Sequence, residues 1–306
     1  WKKFGGSLLL RIGMRLSEVA PDLAKQTVAD AVTIGVMSQP EDICLLRHDG
    51  SGKNAFKNPL SFRYLDDNFI ESDAVKIGKT FMDYLKKTKD PRIHVYCSLK
   101  DGNTEFDKQF GLPNGYDSHT IADAPSGSFV GLENTSNFNI NTILRLDAPT
   151  IFLMPSETKL LLAEAVLRNW TNGNAEVLYK EAITSSMKEQ EIAYGTQGKI
   201  TDEEIETYLA QNLLSTANNT EKLQIIGEQY WVATFINGYE SYANWRRTGY
   251  PKLIPTNYSG SMSPGVIPTR LPYPTDEYSI NRANVDTANQ QQGADKVTTH
   301  IWWDID

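Results

Sequence analysis

Apolar residues crowd most densely between Gly227 and Pro255, where Tyr230, Trp231, Phe235, Tyr239, Tyr242 and Trp245 follow one another within a few turns. Leu223, Ile226, Tyr230 and Ala233 keep helical spacing, and Trp231, Phe235 and Tyr242 continue it on neighbouring strips. The pattern predicts one long helix opening near Thr220, apolar round most of its circumference and buried by partners on several sides. Gly249 and Pro251 end it, since proline cannot continue the hydrogen-bond ladder. This helix is expected to be the hub of one large core.

Phe4, Leu8, Ile12 and Leu16 give the first helix an apolar stripe, with Arg11 and Arg15 on another face. Ala24, Val28 and Ala31 share a face of a second helix after Pro21, stopped at Gly35. Residues 36–72 show no period and read as a long loop. Ala74, Gly78, Phe81, Met82 and Leu85 mark a third helix, closed by Asp90-Pro91, and Ile93–Cys97 alternates as a short strand would. Ser156 is placed to cap an apolar helix, Glu157–Trp170. After the turn Thr171–Asn174, Ala175, Leu178, Ala182 and Ile183 stripe the next one. Two such helices joined by four polar residues form a hairpin of the tetratricopeptide (TPR) type, without the full repeat consensus. Thr201 and Glu204 make a capping box before Ile205, Tyr208 and Leu209. Six prolines between Pro251 and Pro274 describe an extended coat that ends in Trp302 and Trp303.

Residues 100–145 differ in kind: Gly, Asn, Asp and Ser punctuated by Phe106, Phe110, Tyr116, Phe129 and Phe138. A loop this long in a compact protein is usually functional or disordered, and spaced aromatics argue against disorder. Flat rings stack on the apolar faces of sugars while Asn and Asp fix hydroxyls. Phe110, Asn114, Tyr116, Asp117 and Phe129 are therefore the candidate ligand-binding residues.

Composition narrows the classes. Thirty-eight carboxylates against 30 Lys and Arg argue against a nucleic-acid footprint, which needs a basic face. No apolar run approaches the ~20 residues that span a bilayer. Cys44 and Cys97 have no metal-ligand spacing and are read as separate thiols. The four histidines, His48, His94, His119 and His300, form no metal motif. Gly50-Ser51-Gly52-Lys53 is not a phosphate loop, because Arg47 and Asn54 stand where glycine and Ser or Thr are needed. Asp202, Glu203, Glu204 and Glu206 suit a helix start, and Arg246 and Arg247 suit a helix end, clamping carbonyls or a buried carboxylate. Two carboxylates far apart along the chain would serve a glycosidase equally well. A secreted polysaccharide hydrolase therefore stands as one rival reading, and a TPR-like protein-interaction scaffold as another.

Several segments together resemble a known family. Met154-Pro155-Ser156-Glu157, Leu162-Ala163-Glu164-Ala165, Asn169-Trp170, Gly173 and Tyr179 come first, followed by Phe235-Ile236-Asn237-Gly238-Tyr239-Glu240. Asn244-Trp245-Arg246-Arg247-Thr248-Gly249-Tyr250-Pro251 and Ile267-Pro268-Thr269-Arg270-Leu271-Pro272-Tyr273-Pro274 follow, with Trp302-Trp303-Asp304 at the end. In this combination the chain resembles the SusD/RagB family along essentially its whole length. The resemblance implies a mostly α fold: TPR-like helical hairpins in a compact α-superhelix, with long irregular loops and minor short strands. Residues 1–306 are expected to form one SusD-like domain lacking its N-terminal portion. The implied function is non-enzymatic capture of glycans, or of peptides, for a SusC-like TonB-dependent transporter. The implied place is the outer membrane surface, reached through a lipid anchor outside this sequence. No cofactor is implied, although a structural calcium ion is compatible with the family. Family ligand residues vary too much to carry over, so the candidate site rests on loop composition alone.

Overall fold

Two helices, α1 (Lys2–Arg15) and α2 (Pro21–Ile34), open the chain as a hairpin. The computed structural model describes residues 1–66, 76–116, 119–214, 218–257 and 260–304. Ala74, Asp117 and Tyr258 lie outside them. The buried face of α1 is not the Phe4–Leu16 stripe: Gly6, Ser7, Leu10, Gly13 and Met14 face inward, and Ile12 is exposed. Close approach decides this. A Cβ on Gly6 would sit 2.2 Å from the Gly35 carbonyl oxygen, so small residues must occupy the contact with α2. In α2, Ala24, Val28 and Ala31 are buried and Gly35 ends the helix at φ 95°, as expected.

The 36–72 segment is not all loop. It holds β1 (Cys44–Leu46) and α3 (Pro59–Asp66), which starts where the Asn58 side chain accepts the Leu60 and Ser61 N–H groups and proline takes the first helical position. The third expected helix is α4 (Lys79–Thr88), capped at Gly78. The expected strand at Ile93–Cys97 is instead one helical turn, α5 (Ile93–Tyr96), running into β2 (Cys97–Ser98). Two short antiparallel pairs follow: β2 with β3 (Asn137–Phe138), and β1 with β4 (Thr150–Leu153), where Leu46 lies opposite Thr150.

Helices α6 (Pro155–Leu167) and α7 (Ala175–Tyr194) make the expected hairpin, and the Asn174 side chain accepts the Glu176 and Val177 N–H groups to start α7. Ser156 does not cap α6. It lies one residue inside the helix and donates both its N–H and its hydroxyl to Glu189 of α7, which serves as the cap from across the hairpin. Thr201 and Glu204 form the expected capping box of α8 (Asp202–Gln211).

The hub is two helices, α9 (Asn219–Ala233) and α10 (Gly238–Thr248). Asn237 breaks it, its side chain accepting the Glu240 N–H to open α10. The tail is not wholly extended either, since α11 (Thr275–Ile280) and α12 (Arg282–Gln292) lie within it.

Helix α6 packs on α7, α9 and α1. Leu10, Leu85, Tyr96, Leu160, Tyr179, Met187 and Tyr230 belong to one core cluster. Buried charges tie distant helices together. Arg11 meets Glu157 at 2.5 Å, and Arg247 grips Glu164 with two bonds of 2.6 and 2.7 Å, the carboxylate clamp expected of a helix-ending arginine. Burial alone would raise Glu164, yet Arg247 and Arg168 hold its carboxyl below the ordinary value. Both cysteines are free; Cys97 is buried and Cys44 half-buried. No described helix is long and apolar enough to cross a membrane.

Candidate functional site

The 100–145 segment is fastened at its base by β2 and β3 and near its two ends by buried polar side chains. Asn139 Nδ2 donates to the His94 carbonyl, Thr142 Oγ1 to that of Val95, and Ser136 Oγ to Gln109 Oε1. Backbone bonds then weave it to the start of α4: Ile77 N–H donates to Ser136, Leu112 to Ile77, Lys79 to Leu112, and Ser136 to Phe110. These bonds tie an irregular loop to the frame without regular secondary structure, although the buried Asn137 amide and Ser128 hydroxyl find no partner among the described residues.

Phe110 is 39% exposed, and the Lys86 ammonium of α4 lies 4.2 Å from its ring centroid. The same ammonium is 6.0 Å from the Phe106 ring, so a cation links the two rings. Partial burial lowers the pKa of Lys86, against the pull of Asp107 and Asp83. Asn114 is exposed with its Oδ1 against Gly78, and Gly115, at φ 82°, sits so close to Thr256 that a Cβ would meet Cγ2 at 1.9 Å. Tyr116 and Phe129 are half-buried. Asp117 lies outside the described residues. Phe106 and Phe138, the remaining rings of the segment, pack against the core. No ring contact joins Phe110, Tyr116 and Phe129 to one another.

Two clefts carry aromatic walls. One, of about 570 Å³, is lined by Phe106 and Thr104 of the segment together with residues of α8. The other, of about 340 Å³, is walled by Trp231, Phe235, Tyr242 and Trp245. These hub rings were expected in the core. Tyr230 is buried there and Trp231 and Phe235 pack against the core, whereas beyond the break at Asn237 Tyr242 and Trp245 are only half-buried and Tyr239 is 93% exposed. The Asn237-Gly238 pair was the signal for that break. Among the described residues no three His, Cys, Asp or Glu side chains gather as a metal ion would need. His48 meets Thr150 Oγ1 at 2.9 Å and His300 meets Asp304 at 3.0 Å, single contacts rather than a ligand cluster.

A family model described as SusD and RagB outer membrane lipoprotein matches residues 1–304. The chain belongs to the SusD-like family. Members of that family bind carbohydrate and are not catalysts. A comparison with curated proteins found no match. Among solved structures, a chitin-binding protein is 30% identical with a TM-score of 0.80, over 100% of this chain and 65% of its own. A SusD-like protein from Bacteroidetes AC2a is 25% identical with a TM-score of 0.82, over 99% and 69%. A chitin-binding SusD homologue from Flavobacterium johnsoniae is 25% identical with a TM-score of 0.78, over 99% and 63%. The chain thus spans less than two thirds of the length of the two chitin binders. These likenesses bear out the mostly α fold of SusD-like helical hairpins with few short strands.

Proposed function

We propose that this SusD-like chain captures oligosaccharides at the cell surface through the fastened 100–145 segment and passes them to a SusC-like TonB-dependent transporter. Oligomers of N-acetylglucosamine are the first ligand class. The observation that carries the reading is the segment itself: a long polar loop whose two ends are tied down by buried hydrogen bonds while Phe110, Tyr116 and Phe129 stay partly exposed. Partly exposed rings can stack on sugar faces, and Asn114, exposed two residues before Tyr116, can bond hydroxyl or acetamido groups. Two relatives named as chitin-binding support the ligand class.

Calorimetric titration with chitin oligosaccharides tests it. Tyr116→Ala and Phe129→Ala are each expected to weaken binding by about tenfold, equivalent to about 1.4 kcal/mol. If both leave affinity unchanged, the binding surface is elsewhere. If the chain binds no member of a broad glycan panel, the reading itself fails. Affinity capture of a TonB-dependent transporter by the tagged chain tests delivery, and capture of unrelated proteins alone would favour the scaffold alternative.

A further inference from the structure

The cleft of about 570 Å³ beside Phe106 falls within the range of small-ligand sites, and its two walls differ in chemistry. One wall is apolar, made by Pro91, Ile93 and the Phe106 ring. The other is α8, where Glu203, Thr207 and Gln211 follow one another at every fourth residue and so form a single stripe. With a rise of about 1.5 Å per residue, successive members stand roughly 6 Å apart. All three side chains are exposed, and none makes a hydrogen bond to another described residue. The neighbouring strip is already committed: Glu204 is held by Thr201, and the buried Tyr208 hydroxyl accepts from Gln229. A ring-bearing wall facing a row of unused donors and acceptors is what a pyranose chain needs, one face apolar and the edges hydroxylated.

Charge sharpens the choice of sugar. Two carboxylates, Glu203 and Glu204, line the cleft against one ammonium, Lys89, on a chain of net charge −8. A uronic acid would enter against that field, whereas a free glucosamine amine would be drawn in. We propose that this cleft is a saccharide subsite, with the α8 stripe as its hydrogen-bonding edge, that accepts neutral and amino sugars and rejects acidic ones. The proposal rests on the glycan-capture reading and adds both a location and a selectivity to it.

The test uses the full chain and three probes: chitin oligosaccharides, their deacetylated counterparts, and oligogalacturonate. Wild type is expected to bind the first two and not the third. Thr207→Arg, on an exposed helical position, fills the cleft and is expected to weaken chitin-oligosaccharide binding by about tenfold or more, with an unchanged melting curve. Glu203→Lys is expected to narrow the preference for the deacetylated probe over oligogalacturonate. If Thr207→Arg leaves affinity unchanged while Tyr116→Ala lowers it, the subsite is refuted and glycan capture stands. Tight binding of oligogalacturonate by wild type refutes the selectivity. No binding of any of the three probes refutes the subsite, and glycan capture falls with it only if the broad glycan panel is also unbound.

Discussion

Glu189 offers a sharp test of how the helical frame is held. It lies on α7, fully buried, and accepts hydrogen bonds from the Ser156 N–H at 2.8 Å, the Ser156 hydroxyl at 2.6 Å and the Ser185 hydroxyl at 2.9 Å. Burial raises its pKa from the ordinary 4.5 to about 7, because desolvation penalises the charged form more than the serine donors favour it. Between those two values the folded chain keeps a proton that the unfolded chain has released. Stability therefore falls as pH rises from 4.5 to about 7, and the gap corresponds to about 3 kcal/mol. Glu189→Gln removes the titration but keeps the shape and an oxygen for Ser156. Urea unfolding followed by tryptophan fluorescence, at several pH values from 4.5 to 8, isolates this group as the difference between wild type and variant. The variant should gain on wild type by about 3 kcal/mol across that window, with most of the change before pH 7. A difference flat with pH would refute the argument. It would mean that the three donors and the start of α6 hold the carboxylate charged despite its burial.

Arg92 is fully buried and bonds Asp90 through two nitrogens, Ser186 Oγ at 3.0 Å and Gln229 Oε1 at 2.8 Å. Arg92→Met should cost about 3–5 kcal/mol by stranding the Asp90 charge, and adding Asp90→Asn should recover part of it, as read by denaturation midpoints. Gly6→Ala should destabilise by about 1–3 kcal/mol, since the new methyl meets the Gly35 carbonyl and α1 must back away from α2. Gly5→Ala, where a Cβ meets nothing within 4 Å, is the control and should be neutral or mildly stabilising in the same melts.

What could be read along the chain was whatever depends on near neighbours. The α6–α7 hairpin, the stop at Gly35 and the Thr201–Glu204 capping box use partners within a few residues, and each formed where expected. The inward face of α1 could not be read this way. Its contact with α2 is selected for smallness at Gly6 and Gly13, whereas a hydrophobic pattern counts large residues such as Ile12. Helix α12 escaped because only Val285 of its face is buried, which leaves no period to detect. The hub hid its own break, because the rings on both sides of Asn237 outweighed one capping residue.

The same division runs through the candidate site. Composition could single out the 100–145 rings, since stacking needs residue types that are visible one at a time. Nothing local could show that Lys86 of α4 would link Phe106 to Phe110, or that α8 would present Glu203, Thr207 and Gln211 across a cleft from Phe106. Those meetings depend on the frame. The loop is anchored through Ile77, Leu112 and Ser136 to the start of α4, and α4 is held in the core by Phe81, Met82 and Leu85. Binding surface and core therefore share a support. A substitution that loosens α4 should weaken ligand binding without touching the ligand, whereas one at an exposed ring should lower affinity and leave the melting curve in place.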